Sequence, residues 1–408
     1  MLLRFISMAI FAMIEANNWL IENIDNTGTS FLTPDPDFYR NVSELITSKG
    51  YPAEDHIVQT EDGFLLSVQH IAHGRNGPST FQSKRKVVFL QHGFLSASHD
   101  WVINFPHQSL GFILADAGYD VWMGNTRGNT YSRQHIKYTP DMNEFWENST
   151  FSEMGYYDVP AMIDYVLNMT GEKQLSYIGH SQGTADCFVM LSERPEYNQK
   201  IKIFIALAPI SSVGYMKNPI RFIAGSTEKF EFFFKLFKWK EFLSNGALTK
   251  IFSELVCNQK EPVVCKLFMT LAFGESSELN STRIHVYAAH TPAGTSLKSI
   301  IHYAQLYLSG KFAKYDYGKK GNLAHYGQET PPEFDLSRIT APVAISWASH
   351  DNLADPTDVK LLLKKLKSSV DVYEVPYKPF SHIDFTLAIH AKHLLYDKVL
   401  EWLKRFSS

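Results

Sequence analysis

Only three of the 408 residues are cysteine, so no dense disulfide framework holds this chain, and a fold of this size must rest on a buried apolar core. A strong charge of either sign is also missing. The formal balance is -3 at pH 7, which excludes the basic footprint that a nucleic-acid partner requires. Beyond the first residues no stretch approaches the ~18 consecutive apolar residues of a membrane-spanning helix. Gly124-Asn125-Thr126-Arg127-Gly128 lacks the three-glycine spacing after a first strand that a dinucleotide site uses. No metal or nucleotide site stands out, so no cofactor is expected.

What is present points to a large globular chain. Hydrophobic residues make up 45% and aromatics 14%, with 29 Phe and 20 Tyr, enough for one large core with a sizeable insertion. The 16 His would turn the surface from slightly negative to clearly positive in a mildly acidic compartment, which suits work at an anionic lipid surface. Leu2 to Ile14 is apolar apart from Arg4, and residues 1–16 read as a secretory signal ending near Ala16. N-x-S/T acceptors at Asn41, Asn148, Asn168 and Asn280 favour the same secreted or lysosomal route. Cys257 and Cys265 stand eight apart in a polar stretch with Pro262, and a bridge between them would close a short loop worth about 2.5 kcal/mol in the chain-entropy model. Cys187 falls in a helical run and reads as a small buried residue.

Strand and helix alternate along the chain. Glu61-Asp62-Gly63 is a hairpin turn, and Phe64 to Ile71 follows as a strand. Lys86 to Gln91 is a short apolar run of the kind that forms a buried parallel strand. A helix from Leu110 closes at Gly118, Tyr119 to Met123 starts another strand, and a helix over 152–169 takes Ser152 as its N-cap. Leu175 to Ile178, Ile201 to Leu207, Ala341 to Trp347 and Val370 to Val375 read as further strands. A last helix buries Ala391, Leu395, Val399, Trp402 and Phe406. This alternation predicts a mainly parallel sheet of eight strands with helices on both faces. Residues 17–210 and 337–408 form its two parts. Residues 211–336 break the pattern and read as a mostly helical cap and lid. Within them Phe230, Phe233, Phe234 and Phe237 share one helical face while Phe232, Leu236 and Trp239 share another, so both sides need cover, from a core or from a lipid.

The chemistry centres on Gly179-His180-Ser181-Gln182-Gly183, set between an apolar strand and a helix. A G-x-S-x-G in that context is a nucleophile elbow, whose turn is so tight that the flanking residues must be small. A serine hydroxyl needs an imidazole to take its proton and a carboxylate to hold that imidazole in one tautomer. In this fold class they follow in the order Ser, acid, His. Asp351 stands just after the strand ending near Ala348, whereas Asp355, before Pro356, suits a helix cap. His382 ends the loop after the last strand; His390 and His393 lie in a surface helical pattern. An oxyanion needs two fixed N–H donors. Gln182 supplies one, and Phe94, after the small Gly93, supplies the other. His92 at a strand end reads as a structural hydrogen-bond partner.

Taken together, these motifs resemble the acid lipases, the group that contains gastric lipase and lysosomal acid lipase and includes insect members. The matching stretches run nearly end to end: Gly50-Tyr51-Pro52, Glu61-Asp62-Gly63, Leu90-Gln91-His92-Gly93, Leu114 to Trp122, Gly124 to Thr130, Gly179 to Gly183, Pro292 to Ser296, and Leu353 to Pro356. Ser349-His350 departs from the Gly-Gly that usually precedes the acid. The resemblance implies an α/β-hydrolase core, a cap with a lid, and hydrolysis of triacylglycerols or cholesteryl esters at an emulsion, lipoprotein or membrane interface. An acidic working range is expected, although His382 must be neutral to act as a base. The competing readings are a soluble short-chain esterase and a silent lipid-binding protein.

Overall fold

The computed structural model describes residues 35–77, 85–217, 240–242, 257, 265–267, 269–270 and 274–406. Strands β1 (Glu54–Gln59) and β2 (Phe64–Ile71) form the expected antiparallel hairpin. They are followed by β3 (Val87–Gln91), β4 (Asp120–Gly124), β5 (Leu175–His180), β6 (Ile201–Leu207), β7 (Val343–Trp347) and β8 (Ser369–Glu374). The order across the sheet is β1-β2-β4-β3-β5-β6-β7-β8, and every pairing from β4 to β8 is parallel. A ninth strand of two residues, Gln134–His135, pairs off this path with Phe64 and Leu65. The sheet therefore has nine strands where eight are expected. Two residues carry no period that a sequence reading can detect.

All five residues of β3 and all six of β5 are buried, because helices cover both faces of the sheet and leave no side for water. The helices include α1 (Leu110–Asp116), α2 (Val159–Thr170), α3 (Gln182–Glu193), α4 (Leu297–Ser309), α5 (Pro356–Lys365) and α6 (Asp397–Arg405), of which α1, α2 and α3 pack on strands of the sheet. β8, at one edge, alternates half-buried and exposed positions.

The helical segment before α2 starts earlier than expected. Ser152 is not its cap. Thr150 is, accepting from the Ser152 N–H at 3.2 Å while Glu153 takes the Thr150 N–H at 2.9 Å. The T-x-x-E spacing makes a reciprocal capping box, which satisfies more orphan donors than one serine. The last helix buries Ala391, Leu395, Val399 and Trp402, but Phe406, one residue beyond α6, is only partly buried. It packs against the core from the rim.

Arg127, from the Gly124–Gly128 stretch, ties the hairpin to these helices. Its buried guanidinium lies 2.6 Å from Asp62 Oδ2 in the β1–β2 turn and 2.6 Å from Asp158 Oδ1 at the foot of α2. A buried cation persists only when paired and hydrogen-bonded in this way. In 211–336 the described segments include α4 and the helices Ile284–His290 and Gly318–Tyr326. Residues 1–16 and the aromatic run Phe230–Trp239 lie outside the described residues. No helix among the described residues is long and apolar enough to cross a membrane.

Candidate active site

β5 ends at His180 and α3 begins at Gln182, so Ser181 alone makes the turn. Its backbone sits at φ 53° and ψ -119°. For a residue with a side chain this costs on the order of 1–3 kcal/mol, and it persists only where the surroundings leave no alternative. Two glycines provide those surroundings. A Cβ on Gly179 would lie 2.6 Å from the Gly183 carbonyl oxygen, and one on Gly183 would lie 2.5 Å from the Gln91 carbonyl oxygen. The strand, the turn and the helix approach so closely that only hydrogen fits at either position.

Asp351 and His382 arrive from the two later crossovers. In the loop after β7, Asp351 Oδ1 accepts the N–H groups of Leu353 and Ala354, each at 2.8 Å, which aims its other oxygen. That oxygen lies 2.8 Å from His382 Nδ1, and His382 Nε2 lies 2.7 Å from Ser181 Oγ. With Nδ1–H donated to the carboxylate, Nε2 is left as the acceptor of the serine proton. Asp351, His382 and Ser181 are all buried. The structure thus brings the three residues into one hydrogen-bonded line.

The alternatives are occupied elsewhere. Asp355 caps α5, accepting from the Thr357 N–H at 2.8 Å, and pairs with Lys217. His390 and His393 are exposed, near Glu278 and Asp397. His92 donates from Nδ1 to the Gly93 carbonyl at 2.8 Å, and its Nε2 accepts from the Thr126 N–H at 3.2 Å and from Asn129 at 3.1 Å. Burial pushes its pKa down to about 4, so the ring is a neutral brace.

The loop after β3 reaches Ser181 because Gly93 permits it: a Cβ there would be 3.0 Å from Ser181 Cβ. The next N–H is that of Phe94. Neither it nor the N–H of Gln182, at the positive end of the α3 dipole, has an acceptor among the described residues. Two unspent donors beside the hydroxyl are what a developing oxyanion requires.

Three supports escape a sequence reading. His180 Nε2 donates to the His382 carbonyl at 3.0 Å, fixing the His382 backbone to the elbow. Asp384, pushed up to about 6 by burial, accepts the Ser381 N–H at 2.6 Å and a hydroxyl hydrogen bond from Ser276. Tyr303 on α4 donates to Gln182 Oε1 at 3.1 Å and sets its ring edge-on to Phe94. Positions 182 and 303 are 121 apart, and no local pattern signals their contact.

Cys257 and Cys265 are joined by a disulfide, and Cys187 is buried as a free thiol. Of the acceptor asparagines, Asn41, Asn148 and Asn168 are exposed and Asn280 is half-buried.

A family model described as the alpha/beta hydrolase fold matches residues 86–388, and one described as a partial alpha/beta-hydrolase lipase region matches residues 42–105. The chain is 42% identical to gastric triacylglycerol lipase of Homo sapiens, over 90% of this chain and 92% of that protein. It is 38% identical to lysosomal acid lipase/cholesteryl ester hydrolase of Homo sapiens over the full length of both. Among solved structures it resembles a bacterial membrane phospholipase A at 14% identity and a TM-score of 0.50, covering 98% of this chain and 99% of that one, which is a likeness of fold.

Proposed function

This chain belongs to the acid lipase family of the α/β-hydrolase fold, and from that membership we propose that it hydrolyses neutral-lipid esters through Ser181, His382 and Asp351. The observation that carries the assignment of roles is the unbroken line from Ser181 Oγ through His382 to Asp351.

In this mechanism Ser181 Oγ attacks the ester carbonyl as His382 Nε2 takes its proton, and Asp351 steadies the imidazolium that forms. The carbonyl oxygen becomes an oxyanion between the N–H groups of Phe94 and Gln182. His382 returns the proton to the departing alcohol, leaving an acyl group on Ser181. Water, deprotonated by the same nitrogen, then releases the fatty acid and restores the hydroxyl. No cofactor enters either half.

Two relatives bear names that cover triacylglycerols and cholesteryl esters, and these are the substrates proposed here, met at an emulsion, lipoprotein or membrane interface. Residues 17–210 and 337–408 act as the hydrolase core, with 211–336 as cap and lid. The protein follows the secretory route, with Asn41, Asn148, Asn168 and Asn280 as glycan acceptors, and its working range is acidic. A panel of emulsified triacylglycerols and cholesteryl esters at acid and neutral pH, with fluorophosphonate labelling of Ser181, tests the reading. Labelling together with ester hydrolysis that rises beyond the substrate's solubility limit is expected. An unlabelled Ser181, or activity confined to dissolved short-chain esters, would overturn it.

A further inference from the structure

The β1–β2 hairpin carries a cluster that the ester chemistry does not use. Glu54 and His56 are two apart on β1 and so share a face, and the register sets His70 of β2 directly opposite Glu54. Glu54 Oε2 lies 3.5 Å from His56 Nε2 and 3.1 Å from His70 Nδ1, and the three atoms all fall within 4.8 Å of one another. A tetrahedral ion with ligand bonds of about 2.0–2.1 Å requires ligand atoms roughly 3.3 Å apart.

The far side of each ring is already spoken for. His70 Nε2 faces Asp120 Oδ1 at 2.5 Å, and the other oxygen of Asp120 accepts from Trp122 Nε1 at 3.2 Å. His56 Nδ1 lies 3.0 Å from the Tyr165 hydroxyl on α2. With those nitrogens protonated, His56 Nε2 and His70 Nδ1 are left as acceptors, and both lie close to the Glu54 carboxylate. A carboxylate behind a histidine is the arrangement that orients metal-bound imidazoles. His56 Nε2 is buried and has no hydrogen-bond partner among the described residues.

We propose that Glu54, His56 and His70 form a site for one transition-metal ion, with Zn²⁺ the preferred occupant and water in the fourth position. Two imidazoles and one carboxylate are a donor set suited to that ion. Glu54 is the exposed member, with a side chain 56% accessible, so the ion has an entry path. Asp120 opens β4, whereas Ser181 follows the end of β5, and the two strands are parallel to β3 between them. The ion therefore sits at the opposite rim from the ester chemistry. Its effect is to lock the two strands of the edge hairpin together, with Asp120 of β4 and Tyr165 of α2 behind the two rings.

No sequence spacing reveals this site, because its third ligand comes from the facing strand and its brace from β4. Titration of the untagged chain with Zn²⁺ at neutral pH, with Co²⁺ as the spectroscopic probe, tests it. One equivalent bound, visible bands of four-coordinate cobalt and a raised melting temperature are expected. Glu54→Gln and His56→Gln should abolish all three while leaving fluorophosphonate labelling of Ser181 intact, and Asp120→Asn should weaken uptake about 10- to 100-fold. Failure of the unmodified chain to take up Zn²⁺ overturns the proposal. So does unaltered uptake by Glu54→Gln, whose exposed carboxylate the fold does not need.

Discussion

His180 Nε2 donates to the carbonyl oxygen of His382 at 3.0 Å, so the residue before Ser181 holds the backbone of the histidine that hydrogen-bonds the Ser181 hydroxyl. Burial, with His382 adding to it, keeps the His180 ring well below the ordinary imidazole range, so it stays a neutral donor. His180→Phe removes the donor and should lower kcat by roughly 10- to 100-fold, the penalty for loosening a reacting geometry. His180→Gln, which retains an N–H donor, should recover most of it. Equal kcat values for the two variants would show that the bond does not position the base.

Ser181→Ala should reduce turnover by about 10⁴-fold or more. Asp351→Asn should cost about 10⁴-fold, because an amide cannot hold His382 with Nδ1 protonated and Nε2 free to accept. Initial rates on an emulsified ester check both, and near-normal hydrolysis by either variant would end the assignment of roles.

Gly183 admits no side chain, since a Cβ would sit 2.5 Å from the Gln91 carbonyl oxygen, which is backbone and cannot swing away. Gly183→Ala should destabilise the fold by about 3 kcal/mol, the upper end of what overpacking against rigid neighbours costs. Gly171→Ala is the control for strain without a clash, since nothing lies within 4 Å of that position although its φ is +67°. Chemical denaturation of the two variants separates clash from strain.

Acid should weaken the fold through its buried histidines. Burial pushes His302 down to about 4 from an ordinary value of 6.5; Nε2 donates to the Ala313 carbonyl at 2.9 Å, and Nδ1 has no partner among the described residues. Between those two values the unfolded chain binds a proton that the folded chain refuses. The stability is therefore complete above pH 6.5 and is lost as the pH falls towards about 4, by roughly 3 kcal/mol for this one group. His302→Asn should flatten the slope of unfolding free energy against pH by about one proton in that window. An unchanged slope would place the titration elsewhere.

Several features were legible because local sterics and short-range order set them. The elbow is one: Gly179 and Gly183 are required because strand, turn and helix backbones approach too closely there for a Cβ. Asp351 and His382 were legible because the crossover order of the sheet puts their loops at the same rim as the elbow. The Thr150 cap was misplaced by two residues, since a reciprocal box and a lone serine compete and only the backbone geometry separates them.

By itself, then, the order of residues determined the strand–helix alternation, the elbow and the identity of the three residues in line at it, because each depends on contacts within a few positions or on a chain order that topology preserves. Only the tertiary structure decided that Tyr303 meets Gln182, that His180 meets the backbone of His382, and that Glu54, His56 and His70 converge. Those contacts arise from strand register and helix docking between distant segments. Their free energy comes from packing the whole core, so no short window of sequence encodes them.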